Sequence, residues 1–241
     1  MKKLKYIMLL LCFVSTAQLA QAQNEKAKDV LEKVKKSYDD KKQYEIETIY
    51  NMHRGLTGNS ITESYKGEMV RNEDVTRFRV LKTEILQFPK AQLNIDHNQK
   101  KVIYAKTQIG AASQHSPIDV SVFLKLYYET SVTEKNGVLI CEMVSNKPVS
   151  QNPYGKVVLH INKNTYLIEK QELFFSTLIP FVDEESNTKK MDYGRLVILL
   201  QLKDLQNNSK PALSDFITIS PDNNISLTEQ YKGYTLINQA N

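Results

Sequence analysis

Cysteine, glycine and tryptophan are scarce in this sequence of 241 residues, which has two cysteines, eight glycines and no tryptophan. Cys12 lies in the first fifteen residues and Cys141 is the only other cysteine, so we expect neither a disulfide framework nor a thiolate metal site. No glycines are spaced as G-x-G-x-x-G, so a phosphate-binding loop of that kind is excluded. The scarcity of cysteine therefore argues against a thiolate metal site, and the spacing of the few glycines argues against nucleotide binding by a G-x-G-x-x-G loop.

A strong excess of charge of one sign is also missing. Lys and Arg number 32 against 27 Asp and Glu, a net charge of +5, and Lys2, Lys3 and Lys5 supply three of those charges. Lys and Glu alternate along most later segments, so the clustered basic surface that follows nucleic-acid phosphates is not expected. With 41% hydrophobic and 24% charged residues, the composition is typical of a globular protein.

The N-terminus has the pattern of a secretory signal peptide. Three lysines precede an apolar run over 6–14, and Ala20-Gln21-Ala22 fits the small-x-small cleavage rule. A membrane anchor is the alternative, but the run is well short of the roughly 20 residues that cross a bilayer. We therefore expect residues 1–22 to be cleaved off after Ala22, leaving a periplasmic or secreted product with no lipid anchor and no transmembrane span.

The residues that follow predict one helix and then a series of strands. A helix beginning at Asn24 is indicated by apolar residues at helical spacing up to Tyr38. Period-two alternation then predicts strands, separated by turns such as Gly55–Asn59. The predicted strands lie near 42–52, 61–69, 75–82, 93–96, 102–105, 138–144, 157–161, 166–175, 196–200, 216–219 and 234–237. The acidic segment over 180–190 is predicted to be a loop.

A second helix is predicted from residue 117 to about 128. Ser116 is the expected cap, Pro117 the first helical residue and Asp119 an acid in the first turn. The helix is apolar nearly all the way round, which predicts that it is covered on more than one side. One side is free to face a hydrophobic cavity; the alternative is that this helix plugs an ordinary packed core.

Together these elements predict the α+β class and a single domain over 23–241. Because strands twist, a sheet of about nine to eleven antiparallel strands should curve strongly. The N-terminal helix and the short apolar helix are expected on its concave face. No repeat, low-complexity tract or Pro/Gly linker divides the chain.

A search for catalytic chemistry finds no support for an enzyme. There is no G-x-S-x-G elbow, and Cys141 lies in an apolar strand pattern, as a core residue would. The predicted strands make Glu142, Glu169 and Glu172 solvated rather than catalytic. Four histidines without zinc-site spacing are expected at the surface or in turns: His53, His97, His115 and His160. We therefore expect no enzymatic activity, no metal and no cofactor.

Three features carry a family resemblance: the opening helix with its following Tyr44-x-Ile46 strand, the hairpin over 95–104, and the turn over 161–166. Their order resembles that of the outer-membrane lipoprotein carrier superfamily (LolA-like), in which an unclosed antiparallel barrel is lidded by helices. The resemblance covers about 23–241, although the long polar tail over 203–241 departs from the pattern. It implies a monomeric, non-enzymatic carrier in outer-membrane biogenesis that binds a lipid or a lipidated protein.

If that resemblance holds, acyl chains would be held on the inner face of the sheet. Alternation selects the candidate lining residues but leaves open which face of each strand is inward. These candidates are Tyr44, Ile46, Tyr65, Met69, Phe78, Val80, Ile95, Tyr104, Phe123, Leu126, Leu159, Ile198 and Leu200. The competing interpretation is an envelope interaction or sensor module without a ligand, which thirteen tyrosines beside eight phenylalanines favour slightly.

Overall fold

The computed structural model describes most of the chain. The described residues are 24–106, 116–127, 129–145, 152–183, 188–203, 205, 210–222 and 224–239. The predicted signal peptide, its cleavage site and His115 lie outside them. Among the described residues, no helix combines the length and the apolarity that crossing a bilayer requires.

The order of elements is helix α1 (24–39), six strands, the short helix α2 (Val120–Leu126) and ten further strands. The first six strands are β1 (Gln43–Arg54), β2 (Ile61–Asn72), β3 (Val75–Val80), β4 (Thr83–Phe88), β5 (Ala91–Asp96) and β6 (Lys101–Lys106). The later strands are β7 (Glu129–Lys135), β8 (Val138–Val144), β9 (Tyr154–Asn162), β10 (Ile168–Phe175), β11 (Ile179–Asp183), β12 (Thr188–Asp192), β13 (Gly194–Lys203), β14 (Ile217–Ile219), β15 (Ile225–Leu227) and β16 (Thr235–Asn238).

Twelve of these strands form one mostly antiparallel sheet in the order β16-β6-β5-β4-β3-β2-β1-β13-β10-β9-β8-β7. Its two outer strands, β16 and β7, do not pair with each other, so the sheet is unclosed. The pair β16–β6 is parallel, whereas the other pairs with a defined register are antiparallel. The predicted fold class, an unclosed antiparallel sheet with an N-terminal helix and one short helix, is confirmed.

The chain divides into two compact units. Unit 1 comprises 1–38, 51–63 and 118–199, and unit 2 comprises 39–50, 64–117 and 200–241. Strands β1, β2 and β13 therefore contribute residues to both units. Each unit has its own buried apolar side chains, and the two are described separately.

In unit 1, α1 buries one stripe of side chains, as its helical spacing predicts. Val30, Leu31 and Val34 are at most 5% exposed. The hydroxyl of Tyr38 accepts a hydrogen bond from the Ile168 backbone N–H at 3.1 Å. The Asn24 side chain accepts one from the Thr130 N–H at 3.1 Å. These bonds attach both ends of α1 to the strands of its unit.

In unit 2, the apolar core lies on one face of β3–β6. Leu86, Leu93 and Ile95 are fully buried there. The C-terminal segment over 213–236 covers them and contributes Phe216 and Tyr231 to the same cluster. The rings of Phe88 and Phe216 meet edge to face with centroids 6.2 Å apart.

Helix α2 is shorter than predicted and is capped by a different residue. It covers seven residues, and its cap is Asp119, whose carboxylate accepts from the N–H groups of Ser121 and Val122. The prediction that Ser116 caps the helix is therefore wrong. Asp119 prevails because its Oδ1 accepts from two first-turn N–H groups, which starts the helix at Val120, three residues beyond Pro117.

The described parts of the segment over 180–190, residues 180–183 and 188–190, are strands and not the predicted loop. Strands β11 and β12 form a separate two-stranded sheet, with Phe181 opposite Lys190 and Val182 opposite Lys189. Phe181 is only 5% exposed and therefore makes an apolar contact. The charged residues near it in the sequence did not indicate this burial. Strands β4, β7 and β15 were not predicted either.

Gly67 in β2 should be intolerant of any side chain. A Cβ there would lie 2.8 Å from the Arg79 carbonyl oxygen, the Thr48 Oγ1 and a methyl of Val80. We expect Gly67→Ala to lower the free energy of unfolding by about 1–3 kcal/mol, because overpacking forces backbone shifts. Urea unfolding measures this. In Gly155→Ala, whose closest contact is 3.3 Å from a side chain, the loss should be smaller; equal losses would contradict the steric explanation.

Candidate functional site

The sheet in unit 2 has two faces of different character. On the first, which we call the covered face, the cross-strand partners Leu86 and Leu93 pack under the C-terminal segment. On the opposite side, which we call the open face, Phe78, Ile85 and Ile103 are only half-buried, whereas Met69 at the β2 end is 3% exposed. Because direct cross-strand partners project to the same side, the register assigns every residue of β2–β6 to one of the two faces.

A row of mainly apolar side chains crosses the open face. Cross-strand pairing continues the row through six strands, from β2 to β16. Its members, which we call the apolar row, are Met69, Phe78, Ile85, Asn94, Ile103 and Ile237. Met69 is 3% exposed, the next four are half-buried and Ile237 is 37% exposed. At the usual strand spacing the row is about 24 Å long.

A second, polar row runs parallel to the first on the open face. Arg71 is opposite Thr76, Thr76 is opposite Gln87, and Gln87 is opposite Gln92. We call these four residues the polar row. In each strand, the member of the polar row is two residues away from the member of the apolar row. The two rows are therefore about 7 Å apart.

Two buried oxygens of the polar row have no hydrogen-bond partner. They are the Thr76 hydroxyl and the Gln87 side-chain carbonyl, and Thr76 is 0% exposed. Their neighbours in the row are paired: Gln92 donates to Asn94 at 2.9 Å, and Arg71 donates to the Glu73 carbonyl at 3.0 Å. An unpaired buried polar atom costs about 1–3 kcal/mol, so the open face contains a local deficit of hydrogen bonding beside apolar surface.

Six of the predicted lining residues belong to this side of the sheet. Met69 and Phe78 are cross-strand partners, and Val80 is opposite Gly67. The Cβ direction of Gly67 meets the Thr48 side chain, which places the alternating residues of β1 on the same side. The six residues are Tyr44, Ile46, Tyr65, Met69, Phe78 and Val80.

The other predicted lining residues lie elsewhere. Ile95 and Tyr104 are on the covered face, 0% and 3% exposed. Leu159 and Ile198 share one face in unit 1, because both are opposite Gln171. Phe123 and Leu126 are half-buried on α2, and Leu200 is half-buried in the part of β13 that belongs to unit 2. The structure therefore groups less than half of the predicted set on one surface, and their role in binding stays a prediction.

Unit 1 contains a cluster of charged residues that sequence reasoning missed. Glu172 accepts from Lys170 at 2.8 Å and from His160 at 2.9 Å, and its second oxygen lies 3.6 Å from Arg195. The hydrogen bond from His160 and the charge of Lys170 lower the pKa of Glu172 to about 2. Glu172 is thus the centre of an ion-pair network, whereas the alternation had suggested a solvated side chain.

His53 is buried, so the prediction that it lies at the surface or in a turn is wrong. It is 7% exposed, and burial together with the nearby Arg195 charge lowers its pKa. Its Nδ1 and the Arg195 Nε lack hydrogen-bond partners. His97 is in a turn as predicted and contacts the Tyr234 hydroxyl at 3.0 Å. The burial of His53 follows from its neighbours in other strands, which its local sequence does not reveal.

Two further features are structural, a cleft in unit 2 and the buried Cys141. A cleft of about 340 Å³ in unit 2 is lined by Glu47, Thr48, Ile49, Lys66, Gly67, Glu68, Arg79 and Leu81. Its acids are paired, Glu47 with Lys203 at 2.5 Å and Glu68 with Arg79 at 3.2 Å.

Cys141 is fully buried, which raises the pKa of its thiol to about 12. Within the described ranges, no group of three or more His, Cys, Asp or Glu side chains is placed to hold a metal ion.

Comparison with known proteins gives similarities of fold. No family model and no curated protein sequence matches this chain. Among solved structures, a LolA superfamily protein from Nitrosomonas europaea matches 76% of this chain with 94% of its own, at 11% identity and a TM-score of 0.33. A LolA superfamily protein is thus among the structural matches.

Two other solved structures match a similar or larger part of the chain. An uncharacterized conserved protein from Thermus thermophilus covers 89% of this chain and 99% of its own, at 10% identity and a TM-score of 0.44. The MucA/MucB complex structure from Pseudomonas aeruginosa covers 78% of this chain at 15% identity and a TM-score of 0.40, and this chain spans 59% of the matched chain. Function therefore has to be argued from the side chains of this protein.

The ion-pair network around Glu172 should make the protein sensitive to acid. The folded carboxyl has a pKa of about 2 and the unfolded one a value near 4.5. Unfolded chains therefore take up the proton first, and the stabilisation present above pH 4.5 is lost as the pH falls toward 2. We expect Glu172→Gln to lower the free energy of unfolding at pH 7 by roughly 1–3 kcal/mol and to flatten this pH dependence.

Urea unfolding at a series of pH values measures both effects. Glu169→Gln is the matched control, because Glu169 is an exposed acid in the same strand that accepts one hydrogen bond from Asn162. The control should change the free energy of unfolding by less than about 0.5 kcal/mol. An unchanged acid profile in Glu172→Gln would show that the network does not contribute to folding.

Proposed function

We propose that the protein binds the acyl chain of a lipid or of a lipidated polypeptide along the apolar row and carries it without catalysing a reaction. The observation that supports this proposal is the half-buried state of Phe78, Ile85 and Ile103, opposite a face that is fully packed. An apolar face left half-exposed in a folded unit is a typical feature of a binding surface.

The dimensions of the apolar row suit an extended hydrocarbon chain. A length of about 24 Å accommodates one acyl chain laid across the strands. Each methylene group that the chain removes from water contributes about 0.8 kcal/mol to binding. Met69 closes one end of the row by its burial, while the exposed Ile237 leaves the other end accessible. Because of this difference in exposure, the chain would enter at the Ile237 end.

The cellular location is part of the same proposal. The basic and apolar segment over 1–22 has the pattern of an export signal, and a carrier of acyl chains is useful where such chains must cross an aqueous compartment. We therefore propose that the protein acts as a monomer in the periplasm or outside the cell. Its partners would be a lipid or lipidated protein and an envelope protein that receives the cargo.

A charged residue in the apolar row should prevent binding. We expect Phe78→Asp and Ile103→Asp each to weaken binding of a fluorescent fatty-acyl probe at least about tenfold, because an ionised carboxylate cannot be buried cheaply beside hydrocarbon. Probe titration measures the affinity, and far-UV circular dichroism checks that the sheet remains.

Ile219→Asp is the matched control for these variants. Ile219 is 47% exposed in β14 and is not part of the apolar row. This variant should bind the probe like the wild type. Wild-type affinity in both apolar-row variants would refute the proposed site.

The second candidate function is an interaction module, and the β11–β12 hairpin supports it. One face of the hairpin, together with its flanking residues, presents Leu178, Val182, Met191 and Tyr193 with 44–58% of each residue exposed. The other face is held in unit 1 by the buried Phe181 and by a 2.8 Å ion pair between Arg54 and Asp192. An exposed apolar patch of this kind is typical of a protein-binding surface.

Native mass spectrometry distinguishes the two functions. Protein purified without detergent should carry bound acyl species if it is a carrier, and should show its bare mass if it is an interaction module. The double variant Val182→Lys, Met191→Lys should retain the bound species, because the hairpin face is not part of the apolar row. Loss of acyl species in this double variant would instead connect the hairpin with cargo binding.

A further inference from the structure

The chemistry of the polar row indicates what the end of the bound acyl chain carries, an inference that rests on the proposed function. Thr76 and Gln87 are direct cross-strand partners, and both side-chain oxygens are buried and unpaired. They flank Phe78 and Ile85, the residues that follow or precede them by two positions in the same strands. Both oxygens lie about 7 Å to one side of the apolar row and are buried, so a bound chain reaches them only when the side chains over them move aside.

The unpaired atoms require a hydrogen-bond donor from the ligand. The Gln87 carbonyl oxygen accepts only, and the Thr76 hydroxyl both accepts and donates. A ligand group with an O–H or N–H would satisfy the Gln87 oxygen, whereas an ester or a carboxylate offers only acceptors. Pairing of buried polar groups is the rule in native proteins, so a ligand that completes these pairs is favoured.

An anionic group has no donor for the Gln87 oxygen. Arg71, the one charged member of the polar row, donates to the carbonyl oxygens of Glu73 and Asp39 at 3.0 and 3.3 Å. On the far side of the apolar row, Lys101 is opposite Asp96, and its ammonium donates to Gln99 at 2.8 Å. The carbonyls around Arg71 are uncharged and do not neutralise it, but an anion beside Thr76 and Gln87 would still place acceptor atoms against the Gln87 oxygen and leave it unpaired.

We propose that the ligand is an acyl chain whose polar end is an uncharged hydrogen-bond donor, either a hydroxyl or an amide, and is not a free carboxylate or a phosphate. The donor binds the Thr76 and Gln87 oxygens while the hydrocarbon lies along the apolar row. Uncharged O–H and N–H groups share this chemistry, and acylglycerols and acyl amides are their two sources.

Four ligands with the same hydrocarbon tail test the proposal by competition with a fluorescent acyl probe below their aggregation concentrations. Monolauroylglycerol supplies O–H donors, lauramide supplies N–H donors, methyl laurate supplies neither and laurate is anionic. The wild type should bind one or both of the donor ligands at least about fivefold more tightly than methyl laurate and laurate. Preference for one donor ligand identifies the source.

Two variants remove the oxygens without large changes in volume. Gln87→Met and Thr76→Val should each reduce the preference for donor ligands, while affinity for methyl laurate stays within about twofold of the wild type. Gln92→Met is the matched control from the same row, because the Gln92 amide already donates to Asn94 at 2.9 Å. This control should keep the preference.

Three outcomes would overturn the inference. Equal affinity for all four ligands, or tightest binding of laurate, would exclude donor recognition while leaving acyl binding intact. A donor preference that survives in both Gln87→Met and Thr76→Val would assign it to other residues. Absence of binding by every ligand to the wild type would overturn the proposed function as well. Two independent oxygen variants keep the test decisive if one of them fails to fold.

Discussion

The packing of the C-terminal segment on one face of β3–β6 is the contact on which the candidate site depends. Phe216 meets Phe88 edge to face, and Tyr231 stacks near Phe216 with ring centroids 5.7 Å apart. Parallel pairing of β16 with β6 attaches the end of the segment to the sheet. This cover removes Leu86 and Leu93 from water, so the same strands can leave their other face half-exposed without losing the core of unit 2.

Period-two alternation converts that one-sided cover into two surfaces of different chemistry. A shift of register by one residue would exchange the buried leucines with Ile85 and Gln87, and the packed core would then contain polar side chains. The register is thus specified by the covered face. The same register aligns the side chains of the open face, and this alignment produces one apolar row and one polar row.

In unit 1, charged side chains pair with one another. Glu172 pairs at short range with Lys170, His160 and Arg195 on its own and neighbouring strands, although the Arg195 Nε has no hydrogen-bond partner. Paired charges contribute to stability without calling for a ligand, whereas unpaired, uncharged oxygens beside hydrocarbon favour one. This difference is the physical reason for placing the candidate site on the open face of unit 2.

Several features of the protein follow from local patterns alone. The helical spacing from Ala27 to Tyr38 predicted α1, and strict alternation predicted most strands and the burial of Cys141. The acidic run that follows the apolar residues of β11 and the two lysines of β12 led the segment to be predicted as a loop. The cap at Asp119 was missed because Ser116 and Pro117 form an equally good starting signal.

The sequence by itself determined that this is an α+β protein dominated by alternating strands, because alternation is a property of neighbouring residues. It also supplied six of the residues found on the open side of unit 2. Only the tertiary structure decided that Ile95 and Tyr104 belong to the covered face and that His53 is buried. Alternation divides each strand into two faces, but which face is covered depends on segments more than a hundred residues away.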